Sequence, residues 1–135
     1  MEKVLVIENE VSEIEKVAQF IEELGKEAAL APDLVFQLNL ALEEAVSNVI
    51  LYAYPQGERH TISLAASAEQ GWLVFVLSDT GREFDPTLVA DADVTLSAEE
   101  REIGGLGIFL VKQIMDTVEY RRIEDKNILT LKKQL

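Results

Sequence analysis

The chain has no cysteine among its 135 residues. Disulfides and thiolate-held metals are thereby excluded, while the redox compartment stays open. Its single histidine, His60, has no second metal-ligand type beside it in sequence and reads as a surface residue. Bases are scarce: 12 Lys and Arg stand against 25 Asp and Glu, for a net charge of −13. Duplex DNA or RNA is therefore not expected as the main partner, since phosphate contacts need clustered Lys and Arg. The same acidity means that any phosphate pocket needs local help from backbone N–H groups, a helix N-terminus, a divalent cation or a few placed bases. No apolar run approaches the ~20 residues of a membrane span, so no membrane contact is expected. The start, Met1-Glu-Lys-Val-Leu-Val-Ile-Glu, is too short and acidic for a signal peptide, which makes the cytoplasm the expected location. Repeats and low-complexity segments are also missing, and nothing marks an internal boundary, so residues 1–135 read as one domain.

What is present is an apolar content of 48%, enough for a real core. Lys3–Ile7 reads as a strand, and Val11 to about Ala29 as a helix with Asn9 or Ser12 as caps. Pro32-Asp33 opens a second helix, which Pro55-Gln-Gly57 stops. Thr61–Ser67 and Trp72–Leu77 read as strands joined by a hairpin loop at Glu69-Gln-Gly71, with Trp72 and Phe75 in the core. From Asp85 to Ile103 no period is visible, and a connection this long suggests a lid or binding loop. A helical stripe, Ile108, Val111, Ile114 and Met115, follows, and then a final hairpin of Val118–Ile123 and Asn127–Leu131 with Asp125-Lys126 at its turn. The order strand, helix, helix, strand, strand, lid, helix, strand, strand predicts an α+β two-layer sandwich: a mostly antiparallel sheet covered on one face by helices.

The second helix carries the first chemical signal. Glu44 and Asn48 sit four apart on a stripe shared with Leu40, Ala41 and Leu51, so they stack one turn above the other among aliphatic residues. A carboxylate and an amide there are costly unless something satisfies them. They either bond to neighbouring loops or meet a ligand: Asn offers a carbonyl oxygen suited to Mg²⁺, and Glu can accept a proton from a nucleophile. Asp79-Thr80-Gly81 follows a buried strand and is either a plain turn or a turn whose carboxylate faces a donor such as the amine of adenine, with Gly81 letting the backbone approach a planar ligand. Gly104-Gly105-Leu106-Gly107 feeds a helix and is either a hinge or a phosphate cradle. It is not the dinucleotide fingerprint, because Leu110 stands where the last glycine would be, and no P-loop occurs anywhere. Arg101 precedes these glycines and Lys112 lies one turn into the helix; either is a solvated charge or a phosphate contact.

Taken in order, Glu44-x-x-x-Asn48 with Tyr52-Ala-Tyr54, Asp79-Thr-Gly81-x-x-Phe84-Asp85-Pro86, and Gly104-Gly-Leu-Gly-Ile-Phe-Leu-Val-Lys112 resemble the GHKL ATPase superfamily. Within it they are most similar to the stand-alone domains of the anti-sigma-factor serine/threonine kinases, and the resemblance covers essentially the whole chain. It implies a Bergerat-type fold, ATP (or ADP) with Mg²⁺, Glu44 as general base and Asn48 as the Mg²⁺ ligand. Asp79 would accept from the adenine amino group, with Gly81 shaping its pocket. Gly105 and Gly107 would line the phosphates at the hinge of an ATP lid at about 85–103, and Arg101 would contact phosphate, with Gly104 and Lys112 as the further candidates read from their positions beside the helix start. The implied activity is phosphorylation of an anti-sigma-antagonist-like protein, with a sigma factor or phosphatase as further partners and homodimerisation common among relatives. The alternative is a non-catalytic ATP/ADP-binding module that switches a protein partner. The catalytic half of a histidine kinase fits less well, since His60 is isolated in a loop. Two departures stand out: Tyr52 where many relatives carry His, and Arg82-Glu83 where relatives are often small. Glu83, beside the adenine pocket, and the acidic stretch 91–102 are expected to weaken nucleotide retention unless they face solvent.

Overall fold

The computed structural model describes residues 2–55, 57–88 and 105–135, with residues 88 and 105–107 as backbone only. The chain runs through β1 (Glu2–Glu8), a single 3-10 turn (Val11–Glu13), α1 (Ile14–Glu27), α2 (Pro32–Tyr52), β2 (Thr61–Glu69) and β3 (Trp72–Asp79). It continues through a 3-10 turn (Pro86–Leu88), α3 (Gly105–Ile114), β4 (Thr117–Ile123) and β5 (Lys126–Gln134). Among the described residues the sheet order is β1-β2-β3-β5-β4, every pair antiparallel. The predicted order of helices and strands and the two-layer sandwich are thus observed, while the predicted lid lies for the most part outside the described residues.

The strands are amphipathic in the way their residues require. Ile62, Leu64 and Ala66 of β2, Leu73, Phe75 and Leu77 of β3, and Leu129 and Leu131 of β5 are buried, and they alternate with half-buried residues on the other face. Helices cover the buried face. From α1 come Val17, Phe20, Ile21 and Leu24; from α2 come Leu38, Ala41, Leu42, Ala45, Val46 and Val49; from α3 come Ile108 and Val111. No described helix covers the other face, and Val4 and Val6 of the edge strand β1 are exposed there. Trp72 lies half-buried on that face rather than in the core, because it is out of phase with Leu73, Phe75 and Leu77.

Other sequence readings shift for local reasons. α1 has no side-chain cap; Asn9 instead accepts from the His60 N–H at 2.7 Å and donates to the Glu58 carbonyl at 2.9 Å, tying β1 to the loop before β2. His60 is half-buried, its ring stacked on Tyr54 with centroids 4.3 Å apart. The last hairpin turns at Glu124-Asp125, both with positive φ (48° and 65°), one residue earlier than expected. Gln70-Gly71 turns the first hairpin in the same way, and here glycine takes the φ of 82° without strain. Finally, α2 is long and apolar enough to cross a membrane by length and composition, contrary to the absence of such a run expected above. Its buried face packed on α1 and the sheet is that of a core helix.

Candidate functional site

In the core-facing row, β3 and β5 pair Phe75 with Leu131, Leu77 with Leu129, and then Asp79 with Asn127. An apolar row thus ends in two buried polar residues, 5% exposed each. α2 passes over this end of the sheet and supplies Asn48, 6% exposed. Together with Ala45, Val49, Phe84, Pro86, Ile108 and Tyr120 these residues line a cavity of about 20 Å³. That is far below the roughly 300–1,000 Å³ of ordinary ligand pockets.

Asn48 makes no hydrogen bond with any described residue, although it is buried. Glu44, half-buried one turn earlier on α2, likewise has no hydrogen bond or ion pair among the described residues. The loop-bonding explanation of the pair therefore fails for the described part of the molecule.

Asp79 is held differently. Its Oδ1 accepts from the Gly81 N–H at 2.8 Å and from Asn127 Nδ2 at 2.9 Å, while Oδ2 takes no bond from a described residue. Burial pushes its carboxyl above the ordinary range, against the opposing pull of the Asn127 and Gly81 donors and of the Arg122 charge. A raised folded-state pKa means that proton uptake favours folding. This group's contribution to stability is full below its unfolded pKa, near ~4, and is lost as pH rises through the folded value. Asp79→Asn keeps the shape and removes the buried charge. It is expected to raise the melting temperature at pH 7.5, with the gain shrinking toward pH 4 in thermal melts.

The turn after Asp79 is clasped by the C-terminal end of α2. Arg82 donates its backbone N–H to the Ala53 carbonyl at 2.8 Å and its Nε to the Tyr52 carbonyl at 2.5 Å, satisfying carbonyls that the helix end leaves open. The Tyr54 hydroxyl accepts from the Thr80 N–H at 2.9 Å. Gly81 is pressed on Ala53, and a Cβ there would lie 2.3 Å from the Ala53 carbonyl oxygen. Gly81 is thus required at least as much by the helix end as by any planar ligand. Tyr52 packs its ring on Phe84 with centroids 5.5 Å apart, and Glu83 is exposed. An open cleft of about 600 Å³ lies against the outer side of this turn, lined in part by Tyr52, Tyr54, His60, Arg82 and Arg122, and touches neither Asn48 nor Asp79.

Of the residues singled out in the sequence, the structure brings Asn48 and Asp79 to one cavity, with Gly81 at its turn and Glu44 one helical turn away. Gly105 and Gly107 open α3, whose Ile108 lines the cavity. Lys112 Nζ donates to the Thr87 carbonyl at 3.5 Å, reaching the Pro86–Leu88 turn. Arg101, Gly104 and the lid beyond residue 88 lie outside the described residues. Sequence reasoning missed Asn127. The signal was there: Asn127 occupies a core-phase position with Leu129 and Leu131, the same anomaly that marked Glu44 and Asn48. No cluster of three or more His, Asp or Glu able to hold a metal occurs among the described residues. The donor set nevertheless fits Mg²⁺ held by one protein oxygen, since that ion keeps several waters and binds substrate phosphates.

The class is that of an ATPase fold: the chain belongs to the histidine kinase-like ATPase domain family, whose model matches residues 7–133. It is similar to the serine/threonine-protein kinase BtrW of Bordetella bronchiseptica, 29% identical over 98 residues that cover 73% of this chain and 69% of that protein. It is also similar to the serine-protein kinase RsbW of Listeria monocytogenes, 27% identical over 113 residues that cover 81% and 72%. Among solved structures, the RsbU and RsbW domains of Rv1364c from Mycobacterium tuberculosis superpose with a TM-score of 0.69 at 14% identity, over 98% of this chain and 32% of that one. The histidine kinase domain of a blue-light activated kinase from Erythrobacter litoralis gives 0.57 at 14% identity, over 92% and 60%. These two likenesses speak for the fold alone.

Proposed function

We propose that residues 1–135 act as one ATP-dependent protein serine/threonine kinase domain of the partner-switching type, working in the cytoplasm. Its substrate is a small anti-sigma-antagonist-like domain with an acceptor Ser or Thr. A sigma factor or phosphatase is a further partner, and a homodimer is the working assembly. The observation that carries the reading is the buried Asn48, set on one cavity with Asp79 and one helical turn from Glu44, neither Asn48 nor Glu44 being bonded to a described residue. The kinase names of the relatives support it.

In this reading Asp79 Oδ2 accepts from the 6-amino group of adenine, and the Asn48 carbonyl oxygen holds Mg²⁺. When bound, that ion neutralises phosphate charge. The backbone N–H groups of Gly104, Gly105 and Gly107 receive phosphate oxygens at the start of α3, helped by the helix dipole, and Arg101 and Lys112 add positive charge. Glu44 takes the proton of the acceptor hydroxyl as its oxygen bonds to the γ-phosphorus and the bond to the ADP oxygen breaks. Catalysis is then mostly positioning and charge stabilisation.

The experiment is transfer of labelled γ-phosphate to small antagonist-like domains; phosphoserine or phosphothreonine is the expected product. Tight ATP binding with no transfer to any of them leaves a nucleotide-holding switch instead. Asn48→Ala is expected to weaken Mg²⁺-ATP binding about tenfold or more, and the difference from wild type should vanish in EDTA, as for any lost metal ligand. An equal loss with and without Mg²⁺ removes Asn48 as the metal ligand.

A further inference from the structure

The Asp79 carboxylate does not stand alone in the cavity; a locked carboxamide holds it. Asn127 Oδ1 accepts from the Tyr120 hydroxyl at 2.5 Å, from Arg122 NH1 at 3.1 Å and from the Phe84 N–H at 3.3 Å. Its Nδ2 donates to Asp79 Oδ1 at 2.9 Å and to the Arg82 carbonyl at 2.7 Å. Turning the amide over would set an NH₂ against three donors and an oxygen against a carboxylate and a carbonyl. Only one orientation satisfies the site. Arg122 NH1 also donates to the Gly81 carbonyl at 2.7 Å, so one guanidinium fixes both the amide and the turn.

We infer that Asn127, oriented by Tyr120 and Arg122, is a positioning residue that sets base specificity: it keeps Asp79 an acceptor toward the cavity, so that the site takes a 6-amino purine and rejects a 6-keto one. The inference rests on the nucleotide reading above. Two donors occupy Asp79 Oδ1 and leave Oδ2 for the ligand. An ionised carboxylate only accepts, which matches an amine; a protonated one also donates, which matches a keto oxygen. Which form is present depends on the surroundings. The described residues that share the cavity with Asp79 are Ala45, Asn48 and Val49 from α2 and Ile108 from α3, all uncharged. From β4 come Arg122, whose charge acts on Asp79, and Tyr120, on which Glu83 and Asp85 of the segment after β3 act. Loss of the Asn127 donor therefore leaves Arg122 and the Gly81 N–H to oppose burial, and proton uptake by Asp79 moves up in pH.

The test is equilibrium binding of ATP and ITP, with Mg²⁺, from pH 5.5 to 8.5 by calorimetry. Wild type is expected to prefer ATP by about 100-fold or more, as in sites built around one substrate hydrogen bond. In Asn127→Leu, ATP affinity falls about 30-fold, the acid limb of the ATP profile moves up by about one pH unit, and the ATP:ITP ratio drops toward parity as pH falls. Tyr120→Phe removes one hydroxyl and leaves the packing; it should move both readouts the same way, by about three- to tenfold in the ratio. Circular dichroism melts check that each variant folds, and if Asn127→Leu does not, Tyr120→Phe carries the test. Folded variants with the wild-type ATP:ITP ratio and pH profile overturn the inference while the nucleotide reading stands. A wild type that binds neither nucleotide overturns both.

Discussion

Gly81→Ala should be among the most damaging single substitutions in this chain. A Cβ at residue 81 would lie 2.3 Å from the Ala53 carbonyl oxygen, 2.8 Å from its carbon and 2.7 Å from its Cβ. Backbone cannot rotate away as a long side chain would, so either the turn or the end of α2 must shift. A shift separates the contacts that join them: the two Arg82 bonds to the Tyr52 and Ala53 carbonyls and the Tyr54 hydroxyl on Thr80. Overpacking of this kind costs about 1–3 kcal/mol, and each lost bond adds about 1 kcal/mol. A fall in melting temperature of about 10 °C or more follows. Asp79 rides on the same turn through the Gly81 N–H, so ATP binding should be lost even where the variant still folds. Differential scanning calorimetry with and without ATP reads both effects. A Gly81→Ala protein that melts within about 2 °C of wild type would show that the turn has room the geometry denies.

That clasp also explains what the sequence could and could not reveal. The elements were legible because their periods are strong: α2 repeats its apolar residues at helical spacing, and β2 alternates. Glu44, Asn48 and Asp79 were legible because each is a polar residue in an apolar setting. Arg82 read only as a departure, because its use as a cap depends on carbonyls about 30 residues earlier, which no local pattern encodes. Asn127 was hidden for a similar reason, since its partner Asp79 is 48 residues away and the pairing exists only once β3 and β5 are in register. Trp72 was misplaced because β3 is apolar on both faces, and only the sheet decides which face the helices cover.

Glu44→Gln should separate catalysis from binding. On the proposed mechanism the carboxylate takes the acceptor hydroxyl's proton, and glutamine has the same size but cannot do so. Glu44 is half-buried and makes no hydrogen bond or ion pair with a described residue, so the change removes no structural contact there. Melting temperature should stay within about 2 °C of wild type. Because Glu44 stands one turn from Asn48 on α2 rather than on the cavity wall with Asp79, ATP affinity should change by no more than about threefold. Phosphoryl transfer should fall about 10²- to 10⁴-fold, the usual contribution of a placed general base. Single-turnover transfer of labelled γ-phosphate at saturating ATP reads the chemical step without interference from product release. A full transfer rate in Glu44→Gln would remove the base role and leave water or phosphate oxygen as the proton acceptor. A large loss of ATP affinity would instead make Glu44 part of the ground-state grip on the nucleotide. Only unchanged binding with lost transfer assigns the proton to Glu44, because that interaction is then made in the transition state alone.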